Sequence, residues 1–294
     1  MNYQLGLLFF VLTLLSSGCE PRQSNLKAPT SDLGHIDLIL DSIDYYSIVN
    51  DTFLTQSFAV SFQDTVTYGT KQSYDLYLTG QENFLHISLA KGYWKDKAGS
   101  GVLVFQTRKP DMKDSLLIAW RQFYSDSLTS HVFNGPDFDL GEVMTYQTEV
   151  QDSNKKASFF SNLTSYSKRS LENWGFNDSA IVNGISMREF MIDWDSTTQK
   201  KFFKRILRLH VQLTESEYAD LESALRTVGY SQKGSRFIHH SNPEISFDLL
   251  SEVRLPKFKE IEIELSQPTN ERTFAIGGSY EATVKGTRMT LTAK

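Results

Sequence analysis

The sequence predicts an α+β fold built from two βαβββ units, on three observations. Two alternating segments, His35–Leu40 (HIDLIL) and Ile206–Leu213 (ILRLHVQL), read as half-buried strands. Each leads into a segment that opens on helix-capping residues. Three further strand-like segments follow each helix, so one element order occurs twice in the chain.

The elements follow in order. Leu5–Leu15 (LGLLFFVLTLL) is an apolar run too short to cross a bilayer, and it ends in the small residues Ser16, Ser17 and Gly18 before Cys19, the single cysteine. This pattern predicts a lipoprotein signal over 1–18, lipidation at Cys19 and a bacterial envelope location on the periplasmic or outer-membrane face, with the membrane reached through the N-terminal lipid. Residues 19–33 are rich in Pro, Ser, Asn and Lys, as suits a tether. The first unit spans 34–108: the strand His35–Leu40, a helix over Tyr45–Leu54 capped by Ser42 or Asp44, and strands at Phe58–Phe62, Tyr74–Leu78 and Phe84–Leu89.

Val102–Thr107 is a continuous apolar strand and Asp114–Ser127 reads as a helix, and the second unit could start here, at Val102, instead of at Ile206. Residues 109–200 are expected to form an insertion or lid, with His131 in a loop. The second unit spans 201–294. Its strand Ile206–Leu213 is followed by Thr214, which forms a capping box with Glu217 and opens a helix to about Val228. Strands are then expected at Arg236–His240, Ile245–Leu250 and Glu260–Leu265 (EIEIEL), with a terminal pair of strands over Phe274–Leu291.

Without Cys19 no thiol remains, so disulfides are excluded and a metal site must use His, Asp or Glu. A net charge of −5 with interspersed signs speaks against nucleic acid as a partner. No serine-hydrolase elbow, zincin helix, phosphate loop or dinucleotide fingerprint occurs.

Because side chains alternate across a strand, each strand splits into two faces. His35 and Asp37 lie opposite Ile36, Leu38 and Leu40, and His86 and Ser88 lie opposite Leu85, Ile87 and Leu89. In the later unit Arg208, His210 and Gln212 share a polar face, as do Glu260, Glu262 and Glu264. Three imidazoles and a carboxylate on such faces suit Zn²⁺, Fe²⁺, Mn²⁺ or Ni²⁺ if the units close around one concavity.

At these residues the chain resembles the vicinal oxygen chelate superfamily, which includes glyoxalase I, extradiol dioxygenases and bleomycin-resistance proteins. The resemblance rests on His35-Ile36-Asp37 opening a strand-helix unit, on Phe84-Leu85-His86-Ile87-Ser88 with Gly92 beyond it, and on Ile263-Glu264-Leu265-Ser266-Gln267-Pro268. It implies paired modules forming an open cup-shaped mixed sheet with helices on the outer face. It further implies metal ligation by His35, His86, His210 and Glu264, with Glu262 as a proton-moving carboxylate. His86 departs from the glutamate usual at its position. The implied function is a metal-dependent lyase, isomerase or dioxygenase acting on a small vicinal-oxygen substrate. The alternative is a metal-free lipoprotein that binds a small ligand or serves as a scaffold, in which no cofactor is needed.

Overall fold

The computed structural model describes residues 29–123, 128–133, 143–148 and 158–294; Cys19 and the segment around it lie outside them. The first unit is β1 (Ser31–Leu40), α1 (Ser42–Val49), β2 (Val60–Tyr68), β3 (Lys71–Thr79) and β4 (Phe84–Leu89). Asp41, rather than Ser42 or Asp44, caps α1 by accepting from the Asp44 backbone N–H. A helix expected to run to Leu54 stops at Val49, and a π-helical turn follows at Phe53–Phe58.

A second unit of the same order begins at once: β5 (Gly101–Thr107), α2 (Lys113–Arg121), β6 (Leu128–Phe133), β7 (Val143–Thr148) and β8 (Phe159–Ser165). The two units share one eight-stranded sheet in the order β2-β3-β4-β1-β5-β8-β7-β6. In each, the first strand runs parallel to the fourth, β1 with β4 and β5 with β8, and the units join through the antiparallel pair β1–β5. The segment expected as an insertion over 109–200 therefore supplies most of a βαβββ unit, and His131 lies in β6 rather than in a loop. Among the described residues, its later part adds the short helices α3 (Lys168–Asn173), α4 (Asp178–Asn183) and α5 (Met187–Trp194) to that unit. They pack around Leu171, Ile181, Phe190 and Met191 as a separate apolar cluster that also takes in Phe84.

A third βαβββ order follows in β9 (Phe203–Leu213), α6 (Glu215–Thr227), β10 (Ser231–Lys233), β11 (Arg236–Ile238) and β12 (Glu244–Leu249). The Thr214–Glu217 capping box that opens α6 is present in full. Here too the first strand is parallel to the fourth, β9 to β12. The segment Glu260–Leu265 is not that fourth strand. It belongs to β13 (Phe258–Ile276), which pairs antiparallel with the opposite edge of β9 and turns into β14 (Tyr280–Ala293), giving a six-stranded sheet β10-β11-β12-β9-β13-β14.

Apolar faces of both sheets and the helices between them share one core. It holds Ile36 and Leu38 of β1, Leu103 of β5, Leu209 and Val211 of β9 and Ile261 of β13. Trp120 of α2 is fully buried there and donates its indole N–H to Ser223 of α6 at 2.9 Å. Burying a fused ring contributes on the order of 2–3 kcal/mol of stability. Lys257 and Glu217, both buried, form an ion pair at 2.8 Å, and Glu217 also accepts the backbone N–H of Phe159 on β8. The two sheets are thus joined by a charged clasp as well as by apolar contact. Among the described residues no helix is long and apolar enough to cross a membrane.

Candidate functional site

The polar face of β1 carries His35 and Asp37, because Ile36 and Leu38 point into the core. Parallel pairing sets Asp37 opposite His86 of β4. One carboxylate oxygen then meets two imidazoles: Asp37 Oδ1 lies 3.2 Å from His35 Nε2 and 3.0 Å from His86 Nδ1. The three side chains are mostly shielded from water, and each offers a ligand atom within 4.8 Å of the others.

A second carboxylate stands behind this group. Asp75 of β3 receives the hydroxyls of Ser73 and Ser88 on Oδ1, each at 2.7 Å, and the same oxygen lies 3.3 Å from His86 Nε2 without an aligned hydrogen bond. Aromatic rings fix the imidazole planes. His86 stacks on Tyr77 at 4.5 Å, Tyr77 on Phe62 at 4.4 Å, and His35 on Phe84 at 4.3 Å. Phe84 in turn is held by the helical cluster of α3–α5.

Burial pushes the Asp37 carboxyl up, but His86 and His35 beside it more than offset that, holding it well below the usual carboxylate range. For His86, burial opposes protonation and Asp37 and Asp75 favour it, and the carboxylates prevail, raising its pKa to about 10. Asp75 is also lowered: burial raises it, while His86, Ser73 and Ser88 outweigh that.

A divalent ion fits the donor set. Ligand atoms around a tetrahedral ion bonded at about 2.0–2.1 Å stand roughly 3.3 Å apart, close to the two separations measured at Asp37 Oδ1. His86 Nε2 is a buried ring nitrogen with no aligned hydrogen bond, facing a carboxylate. That is the arrangement by which an outer carboxylate orients a metal-bound imidazole.

His35 and His86, both expected as ligands, are brought together here. Asp37 joins them in place of the other two expected ligands. His210 lies on β9 in the six-stranded sheet, with Nδ1 3.0 Å from Ser246 Oγ and Nε2 3.0 Å from Asp248 Oδ2. Glu264 of β13 is bound to Arg205 at 2.7 Å and Lys204 at 3.1 Å, and together they hold its carboxyl below its ordinary value against the opposing effect of burial. In register Glu264 faces Arg205 while His210 faces Glu260. Several residues of strand therefore part them, on the order of 15 Å at ~3.3 Å per residue, and they cannot share an ion. Glu262 lies in the same sheet, 3.3 Å from Arg208 and 3.5 Å from Arg288, and so is ion-paired away from the cluster.

The positions that face His35 from the second unit are Val104 on β5 and, one strand further, Asn162 on β8. Neither residue type is an imidazole or a carboxylate, so these two positions add no matching donor to the cluster from the second unit. Asp37 was visible as a polar-face neighbour of His35, and the parallel pairing that sets it beside His86 was the missing signal. Asp75 gave none, since Tyr74–Leu78 contains no pattern that marks one carboxylate.

A family described as "Family of unknown function (DUF5829)" matches residues 33–292. No curated protein matches the chain. Among solved structures, a xylose isomerase-like TIM barrel/4-hydroxyphenylpyruvate dioxygenase fusion protein is similar over 76% of this chain at 10% identity, with a TM-score of 0.41. This chain spans about a third of that protein's length, 33%. A methylmalonyl-CoA epimerase in complex with methylmalonyl-CoA and NH4+ is similar over 47% of this chain and 96% of its own, at 13% identity and a TM-score of 0.29. A Streptomyces coelicolor methylmalonyl-CoA epimerase variant in complex with 2-nitronate-propionyl-CoA covers 48% of this chain and 97% of its own, at 11% identity and a TM-score of 0.27. The fold assignment rests on the strand order and register given above, not on these neighbours.

Proposed function

We propose, for a chain that belongs to the DUF5829 family of unknown function, that it holds one divalent metal through His35, Asp37 and His86 and acts with it on a small molecule bearing neighbouring oxygens. The observation that carries this reading is the two-histidine, one-carboxylate set converging on the polar face of the eight-stranded sheet. When bound, the ion supplies Lewis acidity toward the ligand's oxygens. The remaining work falls to the protein. Asp37 and the two imidazoles position the charge, and Asp75, braced by two serine hydroxyls, fixes the ring of His86. Tyr77 and Phe84 keep both rings from turning and limit water. The reaction class stays within isomerase, lyase or dioxygenase chemistry on an α-hydroxycarbonyl or catechol-like compound.

One observation favours a metal-free ligand-binding protein instead. Asp37, His86 and Asp75 already form a compact ion-paired group, with His86 touching both carboxylates. Metal analysis separates the two. The full chain, purified without a His tag and reconstituted with Zn²⁺, Mn²⁺, Fe²⁺ or Ni²⁺, is expected to carry one ion. Asp37→Asn should lower the affinity at least tenfold, an outer-partner change such as Asp75→Asn roughly 10–100-fold, and His210→Ala should leave it unchanged. No uptake by the wild type would refute the metal reading and leave the metal-free one.

A further inference from the structure

β1 pairs with β4 only from His35 onward, so the backbone groups before that point need other partners on this side. One side chain from the third unit supplies them. Asn242, in the loop between β11 and β12, accepts the Leu33 N–H on Oδ1 at 2.8 Å and donates from Nδ2 to the Ser31 carbonyl at 2.9 Å. The loop is itself held by an imidazole. His239 Nδ1 accepts the backbone N–H groups of Ser241 and Asn242, each at 3.2 Å, and lies 3.3 Å from Ser241 Oγ. A ring nitrogen that accepts carries no proton, so this geometry requires neutral His239 with its proton on Nε2. Protonation would set an N–H at Nδ1 against two backbone N–H groups and abolish both bonds. Turning the ring over offers no escape, because carbon Cδ2 then takes the place of Nδ1.

The surroundings favour the neutral ring. Partial burial, against the Tyr230 ring at 5.0 Å, and the His240 imidazole at 4.3 Å lower the pKa of His239; Asp32 opposes them and Arg108 adds to them. Asp32 is ion-paired to Arg108 at 2.8 Å, which offsets its pull on His239. Tyr230 stays an uncharged phenol and donates to the Pro243 carbonyl at 3.0 Å, anchoring the far side of the loop whatever the state of His239.

We infer that His239 and Asn242 form an acid-released latch: neutral His239 shapes the loop so that Asn242 clamps the start of β1, and protonation of His239 frees Ser241 and Asn242 and, through them, Leu33 and Ser31. The sign follows from linkage. The latched state holds His239 at a lowered pKa, and release returns it toward the ordinary 6.5. The latch is therefore fully set above 6.5. As pH falls below that value the released population grows, by up to about tenfold for each pH unit, and the growth ends once pH has passed the lowered pKa.

The test is amide hydrogen exchange of the full chain between about pH 7 and pH 5, read by NMR and corrected for the intrinsic exchange rate. On acidification the Leu33 and Asn242 amides should lose protection several-fold while the amides of β9 keep theirs. In His239→Asn, whose side-chain oxygen accepts near the position of Nδ1 and does not titrate, Leu33 protection should no longer depend on pH. His240→Ala should retain the dependence, and Asn242→Ala should leave Leu33 weakly protected at both ends of the range. A flat Leu33 profile in the wild type, an equal fall in His239→Asn, or a parallel fall across β9, the mark of general loosening, would overturn the inference.

Discussion

Replacing Lys257 with Met tests whether the two sheets depend on their charged clasp. The Lys257 side chain is 1% exposed and that of Glu217 3%, with Nζ and Oε2 2.8 Å apart. Glu217 is held further by the backbone N–H of Thr214 at 2.8 Å and of Phe159 at 2.9 Å. Removing the ammonium leaves a carboxylate that is still hydrogen-bonded but has lost its counter-charge inside the protein, a change that costs about 3–5 kcal/mol. Methionine keeps most of the volume, so packing adds little. In a protein of this size that cost corresponds to a Tm lowered by roughly 6–20 °C. Glu217→Gln should cost a similar amount by stranding the ammonium. The double variant Lys257→Met/Glu217→Gln should cost less than the sum of the singles, giving a coupling of about 2 kcal/mol or more. Urea and thermal melts followed by circular dichroism measure all four proteins. A Lys257→Met variant within about 1 kcal/mol of wild type, or fully additive singles, would refute the reasoning.

Two further outcomes follow from local geometry. Gly277, in the turn between β13 and β14, has φ +56°, and an added Cβ would collide with Asp44 of α1. Gly277→Ala should therefore destabilise by more than about 1 kcal/mol, whereas Gly234→Ala, also at positive φ but facing open space, should cost less; equal effects in denaturant melts would remove the collision from the account. In the metal-free protein, the pKa of His86 is raised to about 10 from an ordinary 6.5, so its contribution to stability is complete below 6.5 and is lost as pH rises through about 10. Melting temperature in the presence of a chelator should fall across that window, and His86→Gln should flatten the fall; a wild-type profile no steeper than the variant's would sink the assignment.

Much of the fold was written in local pattern. Strict alternation placed His35 and His86 on polar faces, and Thr214 with Glu217 marked the start of α6 before any tertiary contact was known. Two features of β structure hid the rest. Gly101–Thr107 is covered on both faces, so it shows no alternation; it reads as a strand, yet nothing in its pattern decides that it, rather than Ile206–Leu213, opens the second unit. Glu260–Leu265 alternates strictly, yet alternation does not say which neighbour a strand joins, and the segment pairs with the far edge of β9. Within β9, a register shift opposite Glu262 and Ile263 turns Ile206 rather than Leu207 into the core, a bulge that local pattern does not announce. The candidate site was half legible for the same reason. Its histidines were visible as residues, whereas the contact of Asp37 with His86 exists only through the parallel pairing of β1 and β4.

The position of β1 also bears on how the molecule would carry load. The described chain enters directly into this strand, which lies inside the sheet with β4 on one side and β5 on the other, and Asn242 grips its first residues by accepting the Leu33 N–H and donating to the Ser31 carbonyl. Tension applied from the N-terminal side would therefore act along β1 and across the hydrogen bonds on both flanks, which must shear together rather than open one at a time. A protein held by that end would resist pulling with one of the two central strands of its larger sheet, the same strand that presents His35 and Asp37.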